Sequence, residues 1–577
     1  MTAIHSSGSF ADMSHRNHFF INVLLLLCGA VFFALAHPGF IFAHGLPGFA
    51  WFMWIPAFFI VRRSSYRTVW LWGGFYGAVS YAFFVSWLVT FSLVATAAIC
   101  IEYFISYALL FLCLKTAAAF CGKRAWLVEY FFLCSHEYIK TLGFAGFSYG
   151  VSGYTQWQNV VLIQSSALFG VWGLTFLIDF ASAWIYAVLM SMRGANELHN
   201  LQEHIGNNKN DGNVRKAYSK WIVFVCSIGR AAQRHALSLC MWLVCLCFTF
   251  AYGTITLSRH APVQEFVKVC AVQHNTDPWS GGIAAYERDV KTLMDLTEQA
   301  LLENPDIQLV VWPETAVVPS ILTHYALRYD RRRFDLINSV LQFINGKDAV
   351  FVIGNFHSVD TGKQRTDDYN SAFVFTPRKN VIPPTPEIYR KIHLVPFTES
   401  VPLADKFTWL HDALEKANTH LWRAGTERTV FYADNFSFSV PICFEDTFGN
   451  DCREFVNNGA RAFVNMSNDA WSRSVSCQNQ HLSMAVFRCA ENRVPAVRST
   501  ASGQTCIVDS TGAVLLEAEP FVQTYITGLL PVAGADAGNT WYNKIGDLCA
   551  MLFVMLSCMV FVFAMAWNTQ LKRTTVP

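Results

Sequence analysis

Hydropathy along this chain is divided, and the division limits the fold more than any motif does. Only 15% of the residues are charged and 53% are hydrophobic, where a soluble protein carries about 25% charge. The shortage lies in the first 190 residues and the last 30, while roughly 262–535 has ordinary globular composition. A chain of this kind folds as a membrane part that flanks a water-soluble part. The mean hydropathy of +0.30 agrees. A net charge of +2 offers no electrostatic footprint for nucleic acid.

Eight spans are expected, at about 18–37, 46–61, 68–90, 94–114, 125–142, 164–190, 237–257 and 548–567. Each is long enough, or nearly so, for about 30 Å of hydrocarbon. The first is read as a retained span rather than a signal peptide, because its flank is weakly basic and more spans follow. With eight spans, Arg62, Arg63, Arg67, Lys115, Lys123, Arg124, the basic residues of 193–234, and Lys572-Arg573 all fall on one side. The positive-inside rule makes that side cytoplasmic and puts the large domain outside. Residues 192–220 read as a polar cytoplasmic loop. Glu102 and Asp179 fall inside spans, where an acid is either functional or a helix-helix hydrogen-bond partner. The expected organisation is a membrane domain over 1–260 with seven helices, an external domain over 261–535, and a final helix and tail over 536–577.

The external segment alternates strands with helices. Apolar strands are expected at 267–273, 307–312, 349–354, 371–375, 436–442, 460–466, 505–508 and 525–530, and helices at 286–302, 448–457 and 481–492. Strands outnumber clear helices, so the pattern predicts an α/β domain of two packed sheets covered by helices. Reactive residues follow strand ends, where such folds place their sites. Glu314 follows Val311-Trp312-Pro313, Lys391 ends Tyr389-Arg390-Lys391, and Cys443 follows Val440-Pro441-Ile442. A cysteine at such a corner can receive backbone N–H groups that favour a thiolate and an oxyanion. Glu314 can move the thiol proton, and Lys391 can stabilise a tetrahedral oxygen. Glu399 and Glu445 can orient Lys391 or tune the base. His393 and His481 keep a Cys-His pair open as an alternative. Spacing alone also fits a core cysteine, a turn glutamate and a salt bridge. No Cys or His spacing suggests zinc. Most of the 17 cysteines lie in apolar stretches, although Cys270, Cys452, Cys477, Cys489 and Cys506 could include a disulfide.

These residues stand within longer runs: Val311-Trp312-Pro313-Glu314-Thr315, Tyr389-Arg390-Lys391-Ile392-His393-Leu394-Val395-Pro396-Phe397, and Ile442-Cys443-Phe444-Glu445. Ser467-Asn468-Asp469-Ala470-Trp471, Gln480-His481, Arg488, Glu491 and Arg498-Ser499-Thr500 follow. Together they resemble the carbon-nitrogen hydrolase (nitrilase) superfamily in the external domain, and the apolipoprotein N-acyltransferase family over nearly the full length. The resemblance implies an αββα sandwich, Glu314 as general base, Lys391 as oxyanion-side cation, Cys443 as nucleophile, and Glu399 and Glu445 as supporting acids, with no metal or cofactor. It also implies a phospholipid acyl donor, a diacylated apolipoprotein acceptor, a monomer, and an inner-membrane enzyme whose catalytic domain is periplasmic. Departures from the family pattern are Phe444 for a hydroxylated aromatic, Ser472-Arg473-Ser474 after Trp471, Ser148 for proline and Thr398 for glycine. They touch substrate loops and leave lipid preference open. A membrane-anchored amidase using the same trio with water is the competing reading.

Overall fold

The computed structural model describes residues 7–574, except 144–145, 194–227, 260–262, 277–280, 361, 363–365, 397, 401–408, 410–420, 434–435 and 535–538. The polar loop expected at 192–220 lies almost wholly outside the described residues.

The eight-span bundle is not what the chain forms. Among the described residues, four helices are long and apolar enough to cross a membrane: Asn17–Ala36, Leu93–Phe120, Val171–Met192 and Ala236–Ser258. Two further apolar helices are shorter, Val160–Phe169 and Leu548–Phe563. The expectation counted apolar residues, but backbone breaks divide several of the runs. The 46–61 run becomes a 3-10 turn, Pro47–Trp51, and a nine-residue helix, Ile55–Arg63. Each carries proline in its first turn, where the missing N–H costs nothing. The next helix, Val69–Phe84, has only 16 residues. A new helix starts at Leu93, capped by the Ser92 hydroxyl, which accepts from Ala95 N at 3.2 Å. Gly170, at φ 63°, separates the short segment Ser166–Phe169 from Val171–Arg193. Helices Val69–Phe84 and Leu93–Phe120 pack backbone to backbone. A Cβ on Gly77 would lie 2.3 Å from the Tyr103 carbonyl, so only glycine fits there. Asp179, the acid inside a span, accepts from Trp54 Nε1 at 2.9 Å.

Among the described residues, twelve strands build the external part: β1 (Val263–Gln273), β2 (Leu309–Val311), β3 (Val350–Asp360), β4 (Thr366–Phe375), β5 (Glu387–Arg390), β6 (Phe431–Ala433), β7 (Phe436–Phe438), β8 (Phe463–Ser467), β9 (Ala496–Thr500), β10 (Cys506–Val508), β11 (Val514–Glu517) and β12 (Thr524–Ala533). The main sheet is open and mixed, with strand order β12-β1-β2-β3-β4-β5. Its β1, β2 and β3 are parallel and the rest antiparallel. A smaller sheet runs β11-β10-β9-β8, and β6 and β7 form a separate hairpin. In β1 the period-2 alternation sends Val267, Val269 and Ala271 into one core and Cys270 and Val272 into another. The second core is closed by helices Ile283–Glu303 and Arg331–Asn345. The first is shared with the smaller sheet and with the membrane helices.

The join is helix Val475–Asn492, buried along its length from Ser476 onward. It packs against the turn after Ile442 and against the short helix before Gly170. Gln480 reaches across: its Nε2 donates to Pro38 O (2.8 Å) and Phe84 O (3.0 Å), and its Oε1 accepts from Trp87 Nε1 (2.9 Å). Asn479 donates to Ala43 O at 2.8 Å. Replacing Gln480 with leucine leaves two carbonyls and an indole N–H unpaired in a buried joint. At about 1–3 kcal/mol per orphaned group, Gln480→Leu is expected to lower the thermal denaturation midpoint in detergent clearly. Gln480→Glu keeps the acceptor for Trp87 but sets a buried carboxylate oxygen against the Pro38 and Phe84 carbonyls, so it should lower the midpoint at least as much.

Candidate active site

Three strand ends deliver the predicted residues to one place. Glu314 lies just past β2, on a turn where Thr315 takes φ 51°. The turn sits directly on Gly354 of β3. A Cβ there would lie 2.3 Å from Pro313 O and 2.4 Å from Thr315 N. Both are backbone atoms, so neither can rotate away. Gly354→Ala is expected to cost about 1–3 kcal/mol of stability and to misplace Glu314, read as a fall in acyl transfer larger than the fall in folded protein.

Lys391 directly follows β5, its N–H donating to Asn370 O at 2.9 Å and its carbonyl accepting from Gly425 N at 2.7 Å. Its ammonium is buried, 1% exposed. Nζ lies 3.1 Å from Glu314 Oε1 and 3.0 and 2.9 Å from the two oxygens of Glu399. Asn370 Nδ2 donates to Glu314 Oε1 (2.8 Å) and Glu399 Oε1 (3.1 Å), and Val395 N donates to Glu399 Oε2 (2.8 Å). One cation thus binds two carboxylates. Burial alone would lower the Lys391 pKa, but Glu314 and Glu399 outweigh it and hold the amine well above its ordinary range.

Cys443 opens the 3-10 turn Cys443–Thr447 that follows the hairpin, with φ 51°. Burial pushes its thiol pKa up most strongly, Glu314 adds to that, and Lys391 opposes. The sulfur therefore feels both other members of the trio, and burial favours the thiol. Glu445 does not touch Lys391. Its Oε1 accepts from Tyr389 OH (2.8 Å), Ile392 N (2.7 Å) and His393 N (3.1 Å), and its Oε2 from Ile442 N (2.7 Å). It ties the Lys391 loop to the Cys443 turn. Burial raises its pKa in spite of these donors.

Neither histidine is spent on the thiol. His393 Nε2 pairs with Asp451 Oδ2 at 2.7 Å, and His481 Nε2 faces Asp446 (2.8 Å) and the Cys443 carbonyl (3.2 Å). Cys270, Cys452, Cys477, Cys489 and Cys506 are all free, so the disulfide that this set could include is not formed among the described residues. Among those residues no group of three or more His, Cys, Asp or Glu is arranged to hold a metal. Asn370, Asp446 and Arg498 were not singled out as site residues from the sequence. Asn370 carried one signal, a polar residue where an apolar strand begins. Above the turn, Trp471 packs on Trp87 (5.6 Å between ring centroids) and Phe91 (4.9 Å), so an aromatic wall joins the site to the membrane helices.

Two family models match the chain. Residues 268–537 match the carbon-nitrogen hydrolase family, and residues 23–184 match the apolipoprotein N-acyltransferase N-terminal domain. Apolipoprotein N-acyltransferase 1 of Treponema pallidum is 40% identical over 551 residues, covering 93% of this chain and 94% of its own. The Treponema denticola protein of the same name is 35% identical over 574 residues, covering 97% and 98%. A solved nitrilase-superfamily structure of branch 10 from Saccharomyces cerevisiae is similar over 47% of this chain and 93% of its own, at 19% identity and a TM-score of 0.34. On its near full-length identity to the two Treponema proteins, the chain belongs to the apolipoprotein N-acyltransferase family.

Proposed function

We propose that this enzyme moves a fatty acyl chain from a phospholipid to the N-terminal amine of an S-diacylglyceryl-cysteine apolipoprotein, through a thioester on Cys443. The observation that carries the reading is the Lys391 ammonium held between Glu314 and Glu399, with the Cys443 thiol responding to both Glu314 and Lys391. In the first half-reaction Glu314 takes the thiol proton while sulfur attacks the sn-1 ester carbon. The carbonyl oxygen becomes negative, and Lys391 is the cation beside it. The C–O bond then breaks, and Glu314 returns the proton to the departing lysophospholipid oxygen. In the second half the lipoprotein amine attacks the thioester carbon and gives its proton to Glu314. The C–S bond breaks, and the proton returns to sulfur. Covalent catalysis divides one acyl transfer into two steps of this kind.

The catalytic part is placed on the periplasmic side of the inner membrane. Support comes from the two ends of the membrane bundle. The ends near 38–43, 84–90 and 164 meet the catalytic part. At a different end, Lys115 Nζ donates to Val61 O at 3.1 Å, beside Arg62 and Arg63. Basic residues gathered away from the catalytic part fit the positive-inside rule without relying on a count of spans. The expected acceptor, donor and monomeric state belong to this reading.

Purified protein incubated with acyl-labelled phospholipid and a diacylated lipopeptide tests it. The expected result is a hydroxylamine-sensitive label on Cys443 that chases into the lipopeptide amine. Free labelled fatty acid with an unlabelled lipopeptide would overturn it in favour of a membrane-anchored hydrolase.

A further inference from the structure

Cys443 takes a left-handed backbone conformation, which an L residue with a side chain adopts only when its surroundings hold it there. What holds it is a buried polar cluster behind the turn. Asn465 Nδ2 donates to Pro441 O (3.0 Å) and Asp446 Oδ2 (3.0 Å), and Arg498 Nη1 donates to that same Asp446 oxygen. His481 Nε2 lies 2.8 Å from Asp446 Oδ1 and 3.2 Å from the carbonyl oxygen of Cys443 itself. Its other nitrogen, Nδ1, lies 3.3 Å from both oxygens of Asp469. His481, Asp446, Asp469 and Arg498 are each at most 4% exposed.

Both ring nitrogens face only acceptors. A neutral imidazole has one N–H and one lone pair, so it would turn that lone pair toward a buried carboxylate or toward the Cys443 carbonyl. A ring protonated at both nitrogens satisfies every contact. It also balances the cluster: Asp446 and Asp469 carry two negative charges, Arg498 and His481 two positive ones. With the ring neutral, Asp469 stands uncompensated close to a sulfur that must itself become negative. Asp469 is already among the groups that hold the thiol protonated. Other titratable groups face this cluster: Cys477 from the same helix and Tyr149 from the membrane part, both of which interact with Asp469 and Cys443.

We propose that His481, protonated at both nitrogens, is a positioning residue that clamps the Cys443 carbonyl and neutralises Asp469 as the sulfur acquires charge. The inference rests on the reading of Cys443 as the nucleophile. His481 touches no substrate and acts only through the cysteine turn.

The test uses full-length protein in detergent with three readouts: thermal midpoint, iodoacetamide alkylation of Cys443 against pH, and single-turnover thioester formation at saturating phospholipid. H481Q keeps a donor for the Cys443 carbonyl but removes the charge. Its alkylation profile is expected to move alkaline by about one pH unit, a tenfold loss of thiolate at fixed pH. Thioester formation should slow to match, with the phospholipid KM unchanged. The double substitution H481Q/D469N removes one charge of each sign and is expected to bring the profile back toward wild type. H481A should lose both midpoint and rate. An H481Q profile that superimposes on wild type, or a double variant shifted as far as H481Q, would overturn the proposal. If H481Q alone fails to fold, a folded H481Q/D469N identifies uncompensated Asp469 as the cause and supports it; failure of both overturns it. C443S separates the two readings. Transfer that survives C443S removes Cys443 as nucleophile, whereas an inactive C443S beside a wild-type-like H481Q removes only the role of His481.

Discussion

Cys443→Ala is expected to reduce acyl transfer by on the order of 10⁴-fold or more, because the proposed thioester then has no sulfur to form on. The thermal midpoint should stay close to wild type. The turn is held through its backbone, by His481 on the Cys443 carbonyl, by Asn465 on the Pro441 carbonyl and by Glu445 on the Ile442 N–H. None of these contacts uses the sulfur. Labelled phospholipid followed by gel fluorography reads the thioester directly, and circular dichroism against temperature reads the fold. A midpoint that collapses with the activity would mean that the cysteine is a core residue first.

Lys391→Met should produce the other large effect, and it should damage activity and stability together. Methionine fills much of the same volume but leaves Glu314 and Glu399 sharing Asn370 with no cation between them. Breaking a buried ion pair by removing one partner costs about 3–5 kcal/mol. Loss of one donor to a developing oxyanion costs a further factor of about 10²–10³ in rate. The stability loss has a predictable pH sign. Two facing carboxylates are relieved when a proton enters between them, so the variant should lose less against wild type at pH 5 than at pH 8. Melting both proteins across that range checks it, and a difference that grows toward acid would contradict the arrangement.

The candidate site was readable because its members lie at or shortly after strand ends, and strand ends are marked in sequence by an apolar run giving way to a polar residue. Val311-Trp312-Pro313-Glu314 and Ile442-Cys443-Phe444-Glu445 have that form, and the larger sheet and the hairpin place them as described. What was not readable is what holds them. Asn370 reaches Glu314 across 56 residues, and Asp446 reaches Arg498 across 52. Contacts at that separation leave no periodic trace. His481 shows the same limit: the sequence sets it after Gln480, but only the fold shows that its ring meets the cysteine backbone rather than the sulfur.

The membrane part failed for a different reason. Hydropathy measures how apolar a run is, and it says little about where the backbone stops being helical. The 68–90 run is apolar throughout, yet its helix stops at Phe84 and only a four-residue helix, Leu88–Phe91, follows before the next one starts at Leu93. The interruption is where Trp87 and Thr90 meet Gln480 and Ser472 of the catalytic part. A span expected from composition is cut short where the tertiary structure uses its peptide groups and side chains for the joint. The proposed orientation does not rest on the span count, because it depends only on which bundle end carries the basic residues.

Helix Val475–Asn492, enclosed on one side by the Cys443 turn and on the other by the membrane helices, has a mechanical consequence. In the proposed arrangement it holds the sulfur at one height relative to the membrane helices. A catalytic part hung on flexible linkers could reach down to an ester and then up to an amine. This one is held still, so each lipid must bring its reacting atom to the same plane. In the proposed reaction, selection between lipids becomes a measurement of depth: headgroup size and the distance from anchor to amine decide which molecule can present a carbonyl or a nitrogen at that level. Exchange of spent donor for acceptor is then lateral movement within the leaflet, and the enzyme completes its cycle without lifting either partner out of the bilayer.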